Sequence, residues 1–149
     1  MIPVKDVMTT DVVTFREDTP IDEVIKTLTA RKITGAPVVE KDGHVVGIVS
    51  EIDVVSKHGK TAKDIMSPHV ISITEDTGVD AAARLLSGER IRRVPVLRQG
   101  RMVGLLSRSD ILNFFAHSQW TCATCGQAQR GLEQPERCDS CQGADFHFE

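Results

Sequence analysis

The sequence has no long apolar runs. No segment approaches the roughly 20 apolar residues that a membrane-spanning helix needs, and residues 1–6 lack the apolar stretch of a secretory signal. An excess of charge of one sign is also missing, because the formal net charge is only -3 over 149 residues. Such a small charge does not draw nucleic acid to the whole surface. We therefore expect a cytoplasmic protein that does not cross a membrane.

Cysteine is missing from the first 121 residues, and all four cysteines lie within the last 28. This distribution indicates a separate C-terminal feature with its own chemistry. The remaining composition is ordinary, with 40% hydrophobic and 26% charged residues, as in globular proteins. At this length the chain can bury a core but is small for two fully independent domains.

The chain contains one internal duplication. Residues 47–53, GIVSEID, recur as residues 104–110, GLLSRSD, and the KDVM of residues 5–8 recurs as the KDIM of residues 63–66. The offset is 58 residues before the predicted hairpin turns and 57 after them. Two copies are too few for a solenoid, so we expect them to pack face to face with clefts between them.

Each copy has the pattern strand, helix, strand, strand, helix, which predicts an α/β (α+β) fold with helices covering one face of a small sheet. We predict Thr19 and Thr77 as the N-caps of the first helix of each copy, with an aspartate three residues later. Ser50 and Ser107 are predicted to begin the second helices. The predicted strands are residues 12–14, 36–39 and 44–50, then 71–74, 94–97 and 102–107.

The Ser-x-x-Asp motif that follows the third strand of each copy has two interpretations. It can be a capping box, in which serine and aspartate satisfy the amides of the helix start. Alternatively the serine and the free amides meet a phosphate, and the aspartate accepts hydrogen bonds from ribose hydroxyls. Spacing alone favours the capping box, because such boxes are common.

Two further features favour a ligand. Gly47 and Gly104 lie in the third strands, where a missing side chain allows a ligand or another backbone to come close. Arg92 and Arg93 precede the second strand of the second copy and are suited to phosphate, although a solvated basic edge is the alternative. The first copy has the uncharged Thr34 and Gly35 in their place.

Together, the Asp-x-Met start, the Pro-Val strand, the Gly-x-x-Ser-x-x-Asp motif and the near-60-residue repeat resemble a tandem pair of cystathionine-β-synthase (CBS) domains over residues 1 to about 117. The resemblance implies a sensor with two related clefts that bind AMP, ADP, ATP or S-adenosylmethionine. It also implies disc-shaped homodimers and a protein partner that is not identified by the sequence.

The resemblance also implies which residues would contact the ligand. In the second copy Asp110 would hold the ribose, while Ser107 and Arg108 would lie near the phosphate. Arg92 or Arg93 would add charge, and backbone at Ile71, Ser72, Arg93, Val94 and Pro95 would contact the adenine. In the first copy the corresponding residues are Asp53, Ser50, Val13, Thr14, Thr34, Ala36 and Pro37. Because Glu51 replaces Arg108 there, we expect the first site to be empty or to prefer a less charged ligand.

The four cysteines form two Cys-x-x-Cys knuckles, and four thiolates complete a tetrahedral metal site. Two disulfides are the alternative, which a reducing cytosol disfavours. Residues 119–149 resemble the rubredoxin-like domain of rubrerythrins, with Trp120 before the first knuckle. Asp139 and Gln127 depart from that pattern, so a structural zinc is favoured over a redox-active iron. The predicted ligands are Cys122, Cys125, Cys138 and Cys141.

These patterns predict three domains: a first CBS unit at residues 1–59, a second at 60–117 and a rubredoxin-like zinc ribbon at 118–149. Three functions compete: a nucleotide sensor, an iron redox protein regulated by nucleotide, and a nucleic-acid-binding ribbon. The acidic tail disfavours the last, because backbone binding requires Lys and Arg. We expect no enzymatic activity, since a four-thiolate site has no open position for a substrate.

Overall fold

A computed structural model describes residues 2–149. The chain forms two compact units. The one that we call the core unit consists of Thr9–Thr74 and Val94–Leu105, and the one that we call the tail unit contains the described residues of Met1–Met8 together with Glu75–Arg93 and Leu106–Glu149. Within residues 2–149 no helix has both the length and the apolar character needed to cross a bilayer.

The elements follow the predicted mixed α/β order. A short 3₁₀ helix at Val4–Asp6 precedes the first copy, which contains α1 (Ile21–Arg31), β1 (Gly35–Val39), β2 (Val45–Ser50) and α2 (Glu51–Ser56). The second copy contains α3 (Ala62–Ile65), β3 (Ile73–Thr74), α4 (Val79–Gly88), β4 (Arg93–Arg98), β5 (Arg101–Ser107) and α5 (Arg108–His117). The tail adds β6 (Trp120–Cys122), β7 (Ala128–Gln129) and β8 (Phe146–Phe148).

The second and third strands of each copy form as predicted, but the predicted first strand is reduced to one isolated bridge in the first copy and to two residues in the second. Strands β1 and β2 form an antiparallel hairpin that pairs Gly35 with Ser50, and the second sheet has the order β3-β4-β5. Residues 12–14 form no strand; only Phe15 bridges to Val38. The next parallel hydrogen bond upstream would need an amide on Pro37, which proline does not have.

The same limit applies in the second copy. There β3 pairs in parallel with β4 through Ile73 and Val96, so the next upstream bond would need an amide on Pro95. The predicted strand 71–74 is therefore reduced to Ile73–Thr74. A proline at the same place in both copies explains why both first strands are short.

The predicted caps are right for the second helix of each copy and wrong for the first. Ser50 and Ser107 cap α2 and α5 with complete capping boxes. Helix α1 has Pro20 as its N-cap, because the extended conformation of Pro20 delays the helix by one residue. The Thr19 hydroxyl instead accepts a hydrogen bond from the Arg16 amide at 2.9 Å. Helix α4 likewise begins after Gly78 rather than Thr77.

The segment that begins each copy packs on the first helix of the other copy. The Val4 amide donates to the Thr77 carbonyl at 2.8 Å, and, 58 residues later, the Ala62 amide donates to the Thr19 carbonyl at 2.9 Å. The first hydrogen bond lies within the tail unit and the second within the core unit. The carbonyl just before the first helix of each copy thus accepts a hydrogen bond from the segment that begins the other copy. The repeat in the sequence did not predict this exchange.

A buried hydrophobic cluster lies in the core unit and joins the inner face of α1 to the hairpin β1–β2. Val24 and Leu28, four residues apart on one face of α1, pack there against Val38 and Val49. The cluster places the end of β2 and the start of α2 beside the start of β1. Its buried residues are Phe15, Val24, Leu28, Ala36, Val38, Val49, Ala62 and Ile65.

Candidate functional sites

The Ser-x-x-Asp motif of the first copy is a closed capping box in the core unit. The Ser50 amide donates to Asp53 Oδ2 at 2.9 Å, and the Asp53 amide donates to Ser50 Oγ at 3.2 Å. The Ser50 hydroxyl also lies 3.0 Å from Asp53 Oδ2. Asp53 is 7% exposed, and among residues 2–149 it is the one charged residue that is buried.

The second carboxylate oxygen of Asp53 also has a partner. Lys57, four residues later, places its Nζ 2.9 Å from Asp53 Oδ1 and 3.2 Å from the Ile65 carbonyl. Burial raises the pKa of Asp53, but the hydrogen bonds from Lys57 and Ser50 outweigh it, so the pKa is lowered. The carboxylate is therefore ionised and held on both oxygens. The i,i+4 spacing of Asp53 and Lys57 is the sequence signal for this ion pair, which the predictions above do not include.

The structure brings most of the predicted first-copy residues to one edge of the hairpin. Thr34 accepts a hydrogen bond from the Glu51 amide at 2.9 Å through its carbonyl. Val13 and Thr14 lead into Phe15, whose amide donates to the Pro37 carbonyl at 2.9 Å. The side chains of Ala36 and Pro37 are buried, so only their backbone could contact a ligand. The ligand role of these residues stays a prediction.

In the second copy the tail unit holds the same capping box with different charges around it. The Ser107 amide donates to Asp110 Oδ2 at 3.0 Å, and the Asp110 amide donates to Ser107 Oγ at 3.1 Å. Arg108 is fixed at the helix start, because its amide donates to the Arg92 carbonyl at 3.0 Å and its Nε donates to the Ile91 carbonyl at 2.9 Å. The Arg108 side chain and the backbone of Arg92 thus meet at one helix N-terminus.

The remaining second-copy residues lie in the core unit or at its boundary. Ile71 and Ser72 are exposed just before β3. Val94 and Pro95 are buried within β4, so they too could offer only backbone groups. Arg93 is half-buried at the start of β4. The predicted roles of these residues toward adenine and phosphate stay predictions.

Gly47 allows protein, rather than a ligand, to come close to β2. A Cβ atom there would lie 2.5 Å from the Met66 sulfur and 3.0 Å from the Ser67 carbonyl oxygen. Ser67 also pairs with Ile48 in an antiparallel bridge. Of the two predicted reasons for this glycine, the approach of another backbone is the one that the structure supports.

The four cysteines of the tail meet as one cluster. All four sulfurs lie within 4.8 Å of one another, with 3.6 Å between Cys122 and Cys141 and 3.6 Å between Cys125 and Cys138. A metal with bonds of about 2.3 Å to four thiolates needs tetrahedral edges of about 3.8 Å. The cluster fits a zinc or iron ion without rearrangement, whereas a disulfide needs about 2.05 Å.

The charge state of the cluster also suits a cation. The Cys125 amide lowers the pKa of Cys122 and burial raises it, but the Thr124 amide and the neighbouring thiols lower it further, so the pKa is lowered to about 6. The Gln127 amide lowers the pKa of Cys125, but the surrounding thiols and burial outweigh it and raise that pKa to about 12. One sulfur is thus ready to lose its proton while another retains it. A divalent cation would displace the remaining protons.

The two knuckles have the same backbone design. The amide of Gly126 donates to the Cys122 carbonyl, and the amide of Gln142 donates to the Cys138 carbonyl, each at 2.9 Å. Both donors have a left-handed backbone, with φ of 77° for Gly126 and 63° for Gln142. The second knuckle therefore places a non-glycine residue where glycine is favoured.

We expect Gln142→Gly to stabilise the metal-loaded ribbon by about 0.5–1 kcal/mol, because glycine adopts this φ without a Cβ penalty. The reverse change, Gly126→Ala, should destabilise the ribbon by a similar amount. Thermal unfolding followed by the fluorescence of Trp120, the single tryptophan, measures both. If Gln142→Gly lowers the transition temperature, the side chain of Gln142 has a stabilising role of its own.

The ribbon packs on the helices of the second copy within the tail unit. The Phe148 ring stacks on Phe114 of α5, with 5.6 Å between centroids, and contacts Trp120 at 4.9 Å. Arg84 of α4 lies 3.7 Å from Glu133. A hydrogen bond between the carboxyl groups of Asp80 and Glu133 lowers the pKa of Asp80 and raises that of Glu133. The cysteine cluster is therefore attached to the helix that begins with Ser107 and Asp110.

A duplicated α/β module in which each second helix begins with a Ser-x-x-Asp box defines the class of protein. The family model described as "CBS domain" matches this chain twice, over residues 4–59 and 62–117. The chain therefore belongs to the CBS domain family.

Solved structures agree with this assignment. CBSX2, from Arabidopsis thaliana, in complex with AMP has a TM-score of 0.73 and 28% identity, covering 76% of this chain and 95% of its own. The CBS domain pair of protein MJ0100, in complex with 5′-methylthioadenosine and S-adenosyl-L-methionine, has a TM-score of 0.71 and 32% identity over 78% of this chain and 97% of its own. The predicted fold class is thus confirmed.

Curated relatives include enzymes that are much longer than this chain. The inosine-5′-monophosphate dehydrogenase of Thermoplasma acidophilum is 41% identical over 105 residues, which is 68% of this chain but 21% of the relative. The chain spans 44%, 22% and 21% of the first curated relatives that it matches. The similarity is therefore to the CBS module within these proteins.

Proposed function

We propose that this chain is a regulatory module, not an enzyme, that binds an adenosine-containing ligand at its CBS copies. The observation that carries the proposal is the second-copy capping box, which combines Asp110 with the Arg108 side chain at one helix start, beside the backbone of Arg92. Aspartate is suited to two ribose hydroxyls, and the Arg108 side chain with the helix amides is suited to phosphate. That similar CBS pairs bind AMP or S-adenosyl-L-methionine supports the same class of ligand here.

Calorimetric titration with AMP, ATP and S-adenosylmethionine tests the proposal. We expect one of them to bind with a Kd in the micromolar range or below. The second copy should provide the tighter site, because Glu51 of the first copy repels a phosphate at the position where Arg108 attracts it. If none of the three binds, the chain is not an adenosine sensor.

The second part of the proposal is a structural zinc in the ribbon, held by Cys122, Cys125, Cys138 and Cys141. The thiolate set and its dimensions support a metal, and zinc would hold the short strands of the ribbon together without redox chemistry. Elemental analysis together with a visible spectrum, on protein purified without added metal, tests it. A coloured iron protein with a reversible one-electron couple would favour the redox alternative.

We also propose that two chains associate through their helices. A groove of about 400 Å³ between α1 and α2 contains Ile25, Val55 and Glu51. The equivalent groove of about 310 Å³ between α4 and α5 contains Ile111 and Arg108. Exposed apolar side chains with opposite charges at equivalent positions favour contact between the first groove of one chain and the second groove of another.

Sedimentation equilibrium tests this association. We expect a dimer that weakens at high salt, because exposed charge pairs are screened. The variant Glu51→Arg, which places arginine opposite arginine, should shift the equilibrium toward the monomer. A monomer at all protein concentrations would remove the homodimer from the proposal. The protein partner and the domain boundaries at residues 59/60 and 117/118 stay predictions.

A further inference from the structure

The two copies differ at the residue four positions after the motif aspartate. In the first copy Lys57 lies 2.9 Å from Asp53 Oδ1, while Ser50 occupies Oδ2. With the 57-residue offset the equivalent position in the second copy is Phe114, which has no ammonium group. Phe114 instead stacks on Phe148 of the ribbon. The lysine at this position is thus specific to the first copy.

Lys57 lies where it would compete with a ribose for the Asp53 carboxylate. A ribose that binds an aspartate needs a carboxylate oxygen to accept from its hydroxyls, and the capping box leaves only Oδ1 for this purpose. Lys57 Nζ donates to that oxygen and, at 3.2 Å, to the Ile65 carbonyl. The ammonium is therefore held by two acceptors, the Asp53 carboxylate and the Ile65 carbonyl.

The lysine is nevertheless displaceable. Its side chain is 44% exposed, whereas that of Asp53 is 10% exposed, so the ammonium can move into water while the carboxylate cannot. A half-exposed ion pair of this kind is weak. Its effect is therefore a graded loss of affinity and not a complete block.

We propose that Lys57 is a specificity-determining residue that holds the ribose-binding oxygen of Asp53 and lowers the affinity of the first-copy site. An adenosine ligand must displace the ammonium from Asp53 before its ribose can bind there. This inference rests on the proposed function and deepens it, because it names the residue that sets the affinity of the first-copy site.

The test uses 5′-methylthioadenosine, which has both ribose hydroxyls and no phosphate, so that Lys57 and Glu51 do not act on a charged group. Calorimetry in an Asp110→Ala background, which removes the second-copy aspartate, reports the first-copy site alone. We expect Lys57→Met in that background to tighten binding about threefold to fivefold. Lys57→Arg retains a cation and should leave the affinity within about twofold.

The matched control is Lys41→Met, which removes an exposed lysine of the β1–β2 turn and should leave the affinity unchanged. Thermal unfolding of each variant shows that it is folded at the temperature of titration. If Lys57→Met weakens binding, leaves it unchanged or reveals no first-copy binding at all, the inference is overturned. These outcomes differ from failure of the proposed function, in which the wild-type chain itself binds neither 5′-methylthioadenosine nor the nucleotides.

Discussion

Replacing Cys138 with serine is expected to abolish tight metal binding and unfold the ribbon while leaving the CBS core folded. Cys138 is fully buried at the centre of the cluster, and the remaining three thiolates cannot close a tetrahedron. Structural zinc contributes about 10–16 kcal/mol to the folding of small zinc domains. The ribbon has three strands of two or three residues, so little else is available to stabilise it.

Elemental analysis and the fluorescence of Trp120 measure this result. The tryptophan is 6% exposed and packs on Phe148, so unfolding of the ribbon should shift its emission to longer wavelengths. Ser140→Ala is the matched control, because Ser140 is an exposed residue of the same knuckle, and this variant should retain one metal per chain. Full metal content and an unchanged spectrum in Cys138→Ser would contradict the four-cysteine site.

The second large effect is expected for Asp110→Ala, which should weaken binding of the adenosine ligand at the second-copy site by about 100-fold or more. Two hydrogen bonds from ribose hydroxyls to a carboxylate contribute about 1.5–3 kcal/mol each, and alanine removes both. The loss should appear in the Kd measured by calorimetry and in the loss of ligand-induced thermal stabilisation.

The substitution also removes a capping contact, so its control must do the same. Asp64 accepts a hydrogen bond from the Thr61 amide at 3.1 Å, as Asp110 accepts one from Ser107, yet Asp64 is not in the predicted site. We expect Asp64→Ala and Asp110→Ala each to lose stability, because each removes a carboxylate that caps a helix. Only Asp110→Ala should lose ligand binding; equal affinity in both variants would contradict the assigned site.

Features that depend on neighbours in the sequence were predictable. The repeat identified the CBS module because two copies of the same motif support each other. Ser50 and Ser107 were correctly expected as caps, since a capping box closes within four residues. The cysteine spacing likewise predicted one cluster, because each knuckle directs two sulfurs to the same centre.

Features that depend on contacts between segments far apart in the chain were not predictable from the sequence. The Thr77 carbonyl accepts a hydrogen bond from the Val4 amide. Thr19 was predicted to cap α1, but the N-cap is Pro20. The first strands stop where Pro37 and Pro95 lack an amide, which matters only once the parallel partner is known. Propensity alone cannot reveal such constraints, because the competing partner lies dozens of residues away.

The sequence by itself determined the family, the two Ser-x-x-Asp boxes and the four-cysteine cluster, since each is a short pattern with its own local geometry. Only the tertiary structure decided which groups surround those patterns. It places Lys57 on Asp53 and the Ile65 carbonyl, and it places Phe148 of the ribbon on α5. The physical reason is that burial and hydrogen-bond competition depend on every segment that packs at a site, not on the segment that carries the motif.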